Sequence, residues 1–247
     1  MTNIQTKYGL VLTTILFAFL VYISGFKKNK PTCNNYVINV YLYLALSLSL
    51  MGLFIYNIPF EKAPIHPFIV IIFSFLFIIL LSIQSPFQKK MNDVLLSHLY
   101  WFLFILSISS FSWVYFKIPM FSQHLNTSIM LVALIFVVMS AIVYISPEFF
   151  RKTYGVAMGT LLLVLIMIII FELSMILFSE NYGNTQSFRY VSYLVILVFS
   201  AFISYDTSRI FTLAEKCTNY PNYPQSSISF FLDVINLFAR IISLQSR

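Results

Sequence analysis

Charged residues are scarce in this chain of 247 residues, of which 9% are charged and 60% are hydrophobic. Soluble globular domains carry about 25% charged residues, so this composition excludes a soluble fold and predicts a polytopic membrane protein. A membrane span takes about 20 apolar residues and the links between the apolar runs are short, so one helical bundle accounts for the length. No separate soluble domain fits into the chain.

Cysteine is also rare, and Cys33 and Cys217 are too far apart to match a metal-ligand spacing. Both fall in loops that are rich in Lys and Arg and are therefore expected to face the cytosol, where thiols stay reduced. We therefore expect neither a disulfide nor a zinc site. The sequence also lacks a phosphate loop, a metal-ligand cluster and a nucleophile beside a base, so we expect no enzymatic activity and no bound cofactor.

Basic residues give the chain a formal net charge of +7, but they are scattered at the ends of apolar runs. Because they form no basic face or stripe, the sequence does not indicate nucleic-acid binding. Alternate loops carry nine and five Lys and Arg residues, and the richer set is expected to face the cytosol. The N-terminus is then outside or lumenal. The richer set is Lys27, Lys28, Lys30, Lys89, Lys90, Arg151, Lys152, Arg209 and Lys216; the other is Lys7, Lys62, Lys117, Arg189 and Arg247.

Eight apolar segments are long enough, or nearly long enough, to cross a bilayer. The first lacks a good cleavage site, so we interpret it as an uncleaved span, with a signal peptide or loosely attached anchor as the alternative. The last contains polar residues, which leaves a re-entrant or tilted helix as an alternative to a full span. The segments are Tyr8–Phe26, Tyr36–Ile58, Pro67–Ile83, Val94–Phe116, Leu125–Ser146, Val156–Phe178, Phe188–Leu213 and Ser227–Leu244.

Two carboxylates, Asp206 and Asp233, lie inside the last two apolar segments. Counting about 1.5 Å per residue from the link between the segments places both roughly 10 Å below the same membrane face. We therefore predict that they meet. Intramembrane acids usually face a bundle interior, a wet cavity or a partner, and two close carboxylates share one proton. The alternative is that each acid only accepts hydrogen bonds between helices.

A third acid, Glu172, lies about six residues from the outer end of its segment. Arg240 is roughly 10 Å further outward than Asp233, at the depth of Glu172, so we predict that Glu172 and Arg240 interact. Asp233, Asn236 and Arg240 follow an i, i+3, i+7 pattern and form one polar stripe, which is expected to face the bundle or a water path. These residues are candidates for a cation path, with a purely structural ion pair as the alternative.

Two motifs in the last third of the chain, Ser204–Ile210 and Phe231–Phe238, contain the two aspartates. They resemble segments of the Bax inhibitor family, also called the transmembrane BAX inhibitor motif or lifeguard family. Ser204–Ile210 is similar to the aromatic-Asp-Thr segment that closes the family's sixth span, and Phe231–Phe238 is similar to the Leu-Asp-x-Ile-Asn-Leu-Phe segment of its seventh. Tyr41–Leu48 resembles the first span. The resemblance implies an all-α polytopic membrane bundle, with a seven-span core in residues 36–247. Residues 1–35 then form one additional N-terminal span and a basic cytosolic linker.

The resemblance also implies a function, a pH-sensitive calcium leak channel or regulator of intracellular membranes that modulates calcium stores and inhibits apoptosis. Asp206 and Asp233 would be the proton-sensing gate pair, with transient calcium at the same two carboxylates. The implied partners are the lipid bilayer, calcium ions and death-pathway membrane proteins. The implied location is an endomembrane, the endoplasmic reticulum or Golgi, with the plasma membrane as the alternative.

The chain departs from the family pattern at several positions. Asn39 and Val40 stand where the family usually has a basic residue, Arg240 stands where it is commonly apolar, and an arginine that pairs with the aspartates has no counterpart.

Two other function classes stay open. A proton-coupled secondary transporter would use the acids as relays and favours an internal repeat, and no clear repeat is present. A non-conducting scaffold for death-pathway proteins would tolerate loss of both aspartates.

Overall fold

The computed structural model describes residues 2–60, 67–178 and 186–246. Long helices dominate this part of the chain, because apolar runs of this length satisfy their backbone hydrogen bonds internally when they are helical. The helices are α1 (Thr2–Gly25), α2 (Tyr36–Asn57), α3 (Pro67–Ser82), α4 (Met91–Lys117), α5 (Pro119–Ser122), α6 (Leu125–Ile145), α7 (Pro147–Phe178), α8 (Gln186–Glu215) and α9 (Tyr223–Gln245).

Among the described residues, four short strands lie in the connections and form two antiparallel pairs. The first pair joins Phe26 to Pro31 and Lys27 to Lys30, and the second joins Phe87 to Pro221 and Gln88 to Tyr220. The strands are β1 (Phe26–Lys27), β2 (Lys30–Pro31), β3 (Phe87–Gln88) and β4 (Tyr220–Pro221).

Six helices among the described residues are long and apolar enough to cross a membrane, and Ile69–Ser82 and Gly159–Met175 are shorter apolar stretches. The predicted all-α polytopic membrane bundle is confirmed. The count of eight spans stays a prediction. Several helices begin earlier than predicted, α4 at Met91, α9 at Tyr223 and α7 at Pro147. Residues 147–155, expected to be a loop, already belong to α7. Pro147 at the helix start and Glu148 in the first turn both favour helix initiation there.

The described residues form two compact units, and α8 and α9 contribute to both. Unit 1 comprises Met1–Phe116 and Ile210–Phe231, and unit 2 comprises Lys117–Arg209 and Leu232–Arg247.

Unit 1 has a core in which α2, α4 and the start of α9 meet. Tyr43, Phe104 and Tyr223 are almost fully buried, and the Phe104 ring packs edge-on against Phe231 at 5.9 Å between centroids. The additional helix α1 also belongs to this unit, since Ser24 near its end hydrogen-bonds to the Asn39 side chain of α2. The predicted domain boundary after residue 35 is untested by these contacts and stays a prediction.

The two cysteines contradict the sequence prediction. Cys33 and Cys217 form a disulfide in unit 1, with their Cα atoms 5.8 Å apart. A separation of 184 residues along the chain carries no information about distance in space. The start of α2 packs on the start of α9, with the rings of Tyr36 and Tyr223 5.8 Å apart, and this packing brings the preceding loops together.

The predicted orientation in the membrane is not decided by the described structure. Lys62, Arg247 and the side chains of Arg151 and Lys152, which contributed to the charge count, lie outside the described residues. The orientation therefore stays a prediction.

Candidate functional site

Asp206 and Asp233 are both buried in unit 2, with 5% and 6% of their surface exposed. Asp206 belongs to α8 and Asp233 to α9. Apolar residues surround them along each helix, since Ile203, Ile210 and Leu237 are almost fully buried. The two carboxylates therefore lie where the helices pack and not on an outer surface of the bundle.

The negative charge of Asp206 acts on Asp233 within unit 2. The Oδ2 atom of Asp233 has no hydrogen-bond partner among the described residues. A buried carboxylate oxygen without a partner is unfavourable unless it carries or shares a proton, or binds a cation. The pair can therefore hold a proton or a hard cation, and its role as a gate stays a prediction.

Hydroxyl groups accompany the carboxylates, and the sequence analysis did not single them out. Thr207 is fully buried and its hydroxyl lies 3.3 Å from that of Ser140, which joins α8 to α6. Ser204 is buried, and its hydroxyl has no hydrogen-bond partner among the described residues. Ser204 and Thr207 lie in the Ser204–Ile210 segment that carries the family resemblance, and that resemblance was the available signal for them.

Glu172 and Arg240 form the ion pair that their matched depth predicted. Arg240 donates through both terminal nitrogens, Nη1 to Oε1 of Glu172 at 2.6 Å and Nη2 to Oε2. This is the bidentate arrangement that gives guanidinium–carboxylate pairs their strength. The Arg240 side chain is 24% exposed and the Glu172 side chain is 12% exposed. Whether the pair belongs to a cation path stays a prediction.

Asn236 does not share the environment of Asp233. It is exposed, and its side-chain amide donates to the carbonyl of Leu232 in its own helix at 2.8 Å. At 3.6 residues per turn, a step of three residues rotates a side chain by about 60° from Asp233, whereas a step of seven rotates it by only about 20°. Arg240 therefore stays near the face of Asp233, and Asn236 turns away from it.

Unit 1 contains a second buried polar network, in a region to which the sequence analysis gave no role. The Tyr43 hydroxyl lies 2.7 Å from Nε2 of His98, and Nδ1 of His98 donates to the carbonyl of Val94. The Trp101 indole donates to Ser47 at 2.8 Å. These side chains satisfy one another inside an apolar core, which fits a structural role.

The helices and buried acids define the class, a polytopic helical membrane protein with intramembrane carboxylates. The family described as "Inhibitor of apoptosis-promoting Bax1" matches residues 33–246. The chain belongs to this family, as the resemblance of its last two helices indicated. The match begins after α1 and includes both aspartates.

A second comparison finds a shorter similarity. The chain is 39% identical over 62 residues to an "Uncharacterized membrane protein" of Vibrio cholerae serotype O1. The similarity spans about a quarter of each protein, 25% of this chain and 26% of the relative. No solved structure matches the chain.

Proposed function

We propose that the protein is a pH-sensitive calcium leak channel, or a regulator of such a leak, in which Asp206 and Asp233 form the proton-sensing gate. The single observation that carries the proposal is the buried, electrostatically interacting carboxylate pair in unit 2. Membership of the Bax inhibitor family supports a membrane role of this kind. The proposal extends to the modulation of calcium stores and the inhibition of apoptosis.

The gate follows from the chemistry of two close carboxylates. With one shared proton, the pair holds α8 and α9 together through a charge-assisted O–H···O bond, one of the stronger hydrogen bonds. When that proton is lost, two negative charges face each other in a poorly hydrated site, where repulsion is about 4 kcal/mol at 4 Å for an effective dielectric near 20. The helices then separate or the pair recruits a cation.

Calcium is the cation that fits this site best. It prefers oxygen ligands, with carboxylates and carbonyls foremost, and Asp233 offers an oxygen that has no partner among the described residues. The Asn236 amide carries a further oxygen on the same helix, but the residue is exposed and turned away. The two aspartates therefore form the proposed transient calcium site, and Asn236 is placed outside it.

Flux measurements test the gate. The purified full chain is placed in liposomes and calcium flux is recorded across a range of pH. Wild type is expected to show a pH-dependent flux, and Asp206→Asn and Asp233→Asn are each expected to flatten the dependence because an amide does not titrate. Asp93→Asn, a change of the same kind in the first turn of α4 in unit 1, is the matched control and should keep the wild-type profile.

Two results would contradict the proposal. If both aspartate variants keep the wild-type pH profile, the aspartates are not the gate. If folded wild-type protein gives no flux at any pH, the protein is not itself the channel, and a regulator of another leak or a scaffold that binds other membrane proteins is left. Thermal melts of each variant establish that it is folded before the flux is compared.

A further inference from the structure

The connections beside Cys33 and Cys217 form a small polar structure of their own, which we call the clasp and define as residues 26–35 and 216–222. One half is the β1–β2 hairpin, whose turn residues Lys28 and Asn29 have φ of 52° and 61°. Positive φ at both positions is the requirement of the tight turn that matches strand twist. The other half contains β4 and leads into α9.

Noncovalent contacts hold the two halves together independently of the disulfide. The Tyr223 hydroxyl, just after the clasp, donates to the carbonyl of Thr32. The Lys30 ammonium lies 5.9 Å from the centre of the Tyr220 ring, within the range of a cation–π interaction. These contacts join the two halves in addition to the disulfide.

Two features of the surroundings match those expected of reactive cysteines. Both are only partly buried, and reactive cysteines lie in partly exposed, electropositive surroundings. The clasp contains four lysines and no acidic residue, and Glu215 directly precedes it. The lysines are Lys27, Lys28, Lys30 and Lys216.

The charge pattern predicts that this face lies in the cytosol, where a permanent disulfide is rare and reversible, redox-sensing ones are the usual kind. We propose that Cys33 and Cys217 form a reversible thiol–disulfide exchange site, open to small disulfides such as oxidised glutathione, that locks and unlocks the clasp. This inference does not depend on calcium conduction or on the aspartate gate.

The exchange needs no reagent besides the two cysteine thiolates and the small disulfide. The thiolate of one cysteine attacks the small disulfide, forms a mixed disulfide and releases one small thiolate. The thiolate of the other cysteine then attacks the protein sulfur of the mixed disulfide, closes the Cys33–Cys217 bond and releases the second small thiolate. The small disulfide is reduced by two electrons and the cysteine pair is oxidised by two. Small thiols reverse both steps.

Sealed membrane vesicles containing the full chain test the site and its side of the membrane together. Free thiols are tagged with a large maleimide after treatment with mixtures of reduced and oxidised glutathione, and the tagged species are separated on a gel. In vesicles with the cytosolic face outward, the fraction of protein with the Cys33–Cys217 disulfide is expected to rise with oxidised glutathione and to fall with reduced glutathione. In right-side-out vesicles, the added glutathione is expected to have no effect.

Single variants control for adventitious oxidation. Cys33→Ser and Cys217→Ser should each accept glutathione as a mixed disulfide and form no internal bond. The thermal midpoint of wild type should be higher after oxidation than after reduction, since the bond closes a long loop, and this difference should vanish in Cys33→Ser.

Three results would overturn the inference. A disulfide that reduced glutathione does not reduce from either face would be a permanent structural disulfide. Exchange only from the opposite face would place the clasp outside the cytosol. Absence of the bond in oxidised glutathione would show that the thiols do not meet.

Discussion

Arg240 and Glu172 satisfy each other's charge inside unit 2 through two hydrogen bonds. A buried charge that loses its partner is strongly unfavourable, whereas a pair replaced as a whole by neutral groups of similar size is often tolerated. Both terminal nitrogens of Arg240 and both carboxylate oxygens of Glu172 take part in this contact. The pairing distinguishes the site from that of the aspartates, whose two charges have the same sign.

A double-mutant cycle tests this pairing. Glu172→Gln and Arg240→Met are each expected to lower the free energy of unfolding by about 3–5 kcal/mol, because each leaves one buried charge alone. The double variant should lose less than the sum of the two. Thermal or denaturant unfolding in detergent measures all three variants, and strictly additive losses would show that the two side chains do not interact.

At the scale of elements, the additional helix α1 packs along α2, and hydrogen bonds at its C-terminal end join it to the family's core. Asn39 of α2 is fully buried, receives a hydrogen bond from Ser24 and donates to the Asn34 carbonyl and the Tyr223 hydroxyl. It thereby joins α1, α2 and the start of α9 within unit 1. Its neutral amide supplies both a donor and an acceptor.

Gly25, the last residue of α1, tests how closely this junction is packed. A Cβ atom there would lie 3.1 Å from the Tyr223 ring and 3.3 Å from Asn39 Cγ. Gly25→Ala is therefore expected to destabilise the protein by about 1–3 kcal/mol through overpacking.

Gly9→Ala, in the same helix, is the matched control, since nothing lies within 4 Å of its Cβ position. It should be neutral or raise stability by a few tenths of a kcal/mol, up to about 1 kcal/mol. Thermal midpoints of the two variants, measured side by side, show whether Gly25→Ala is the more destabilising change. Equal midpoints would show that α1 does not pack closely at its end.

At the scale of the whole molecule, the excess of lysine and arginine in alternate loops predicts which links face the cytosol. The disulfide protects both native cysteines from labelling, so the test needs a variant with one free thiol. Cys33→Ser leaves Cys217 free in the α8–α9 link. Gln123 is exposed, next to α5, and belongs to a link predicted on the opposite face.

Labelling with a membrane-impermeant maleimide in sealed vesicles measures the orientation. Cys217 in Cys33→Ser should react only from the cytosolic side. In the background Cys33→Ser with Cys217→Ser, Gln123→Cys should react only from the other side. Reaction of Cys217 from the outer side would reverse the predicted topology, and reaction of both sites from one side would show that the spans between them were miscounted.

Sequence alone determined the class and the family, and it predicted the depth of the charged residues. Apolar runs of span length leave few alternatives to membrane helices, and the rise of about 1.5 Å per residue fixes how far a side chain lies from a membrane face. This is why the contact between Glu172 and Arg240 could be predicted from counting. The helical start at Pro147 was missed because charged residues inside a helix resemble a loop in composition.

Only the tertiary structure decided which links meet and which way each side chain turns. The pairing of Cys33 with Cys217 and the exposure of Asn236 depend on how helices pack and rotate. Neither packing nor rotation is fixed by hydrophobicity, because most surfaces of a membrane helix are equally apolar. The same holds for Asn39, whose role as a junction appears only when α1, α2 and α9 are placed together.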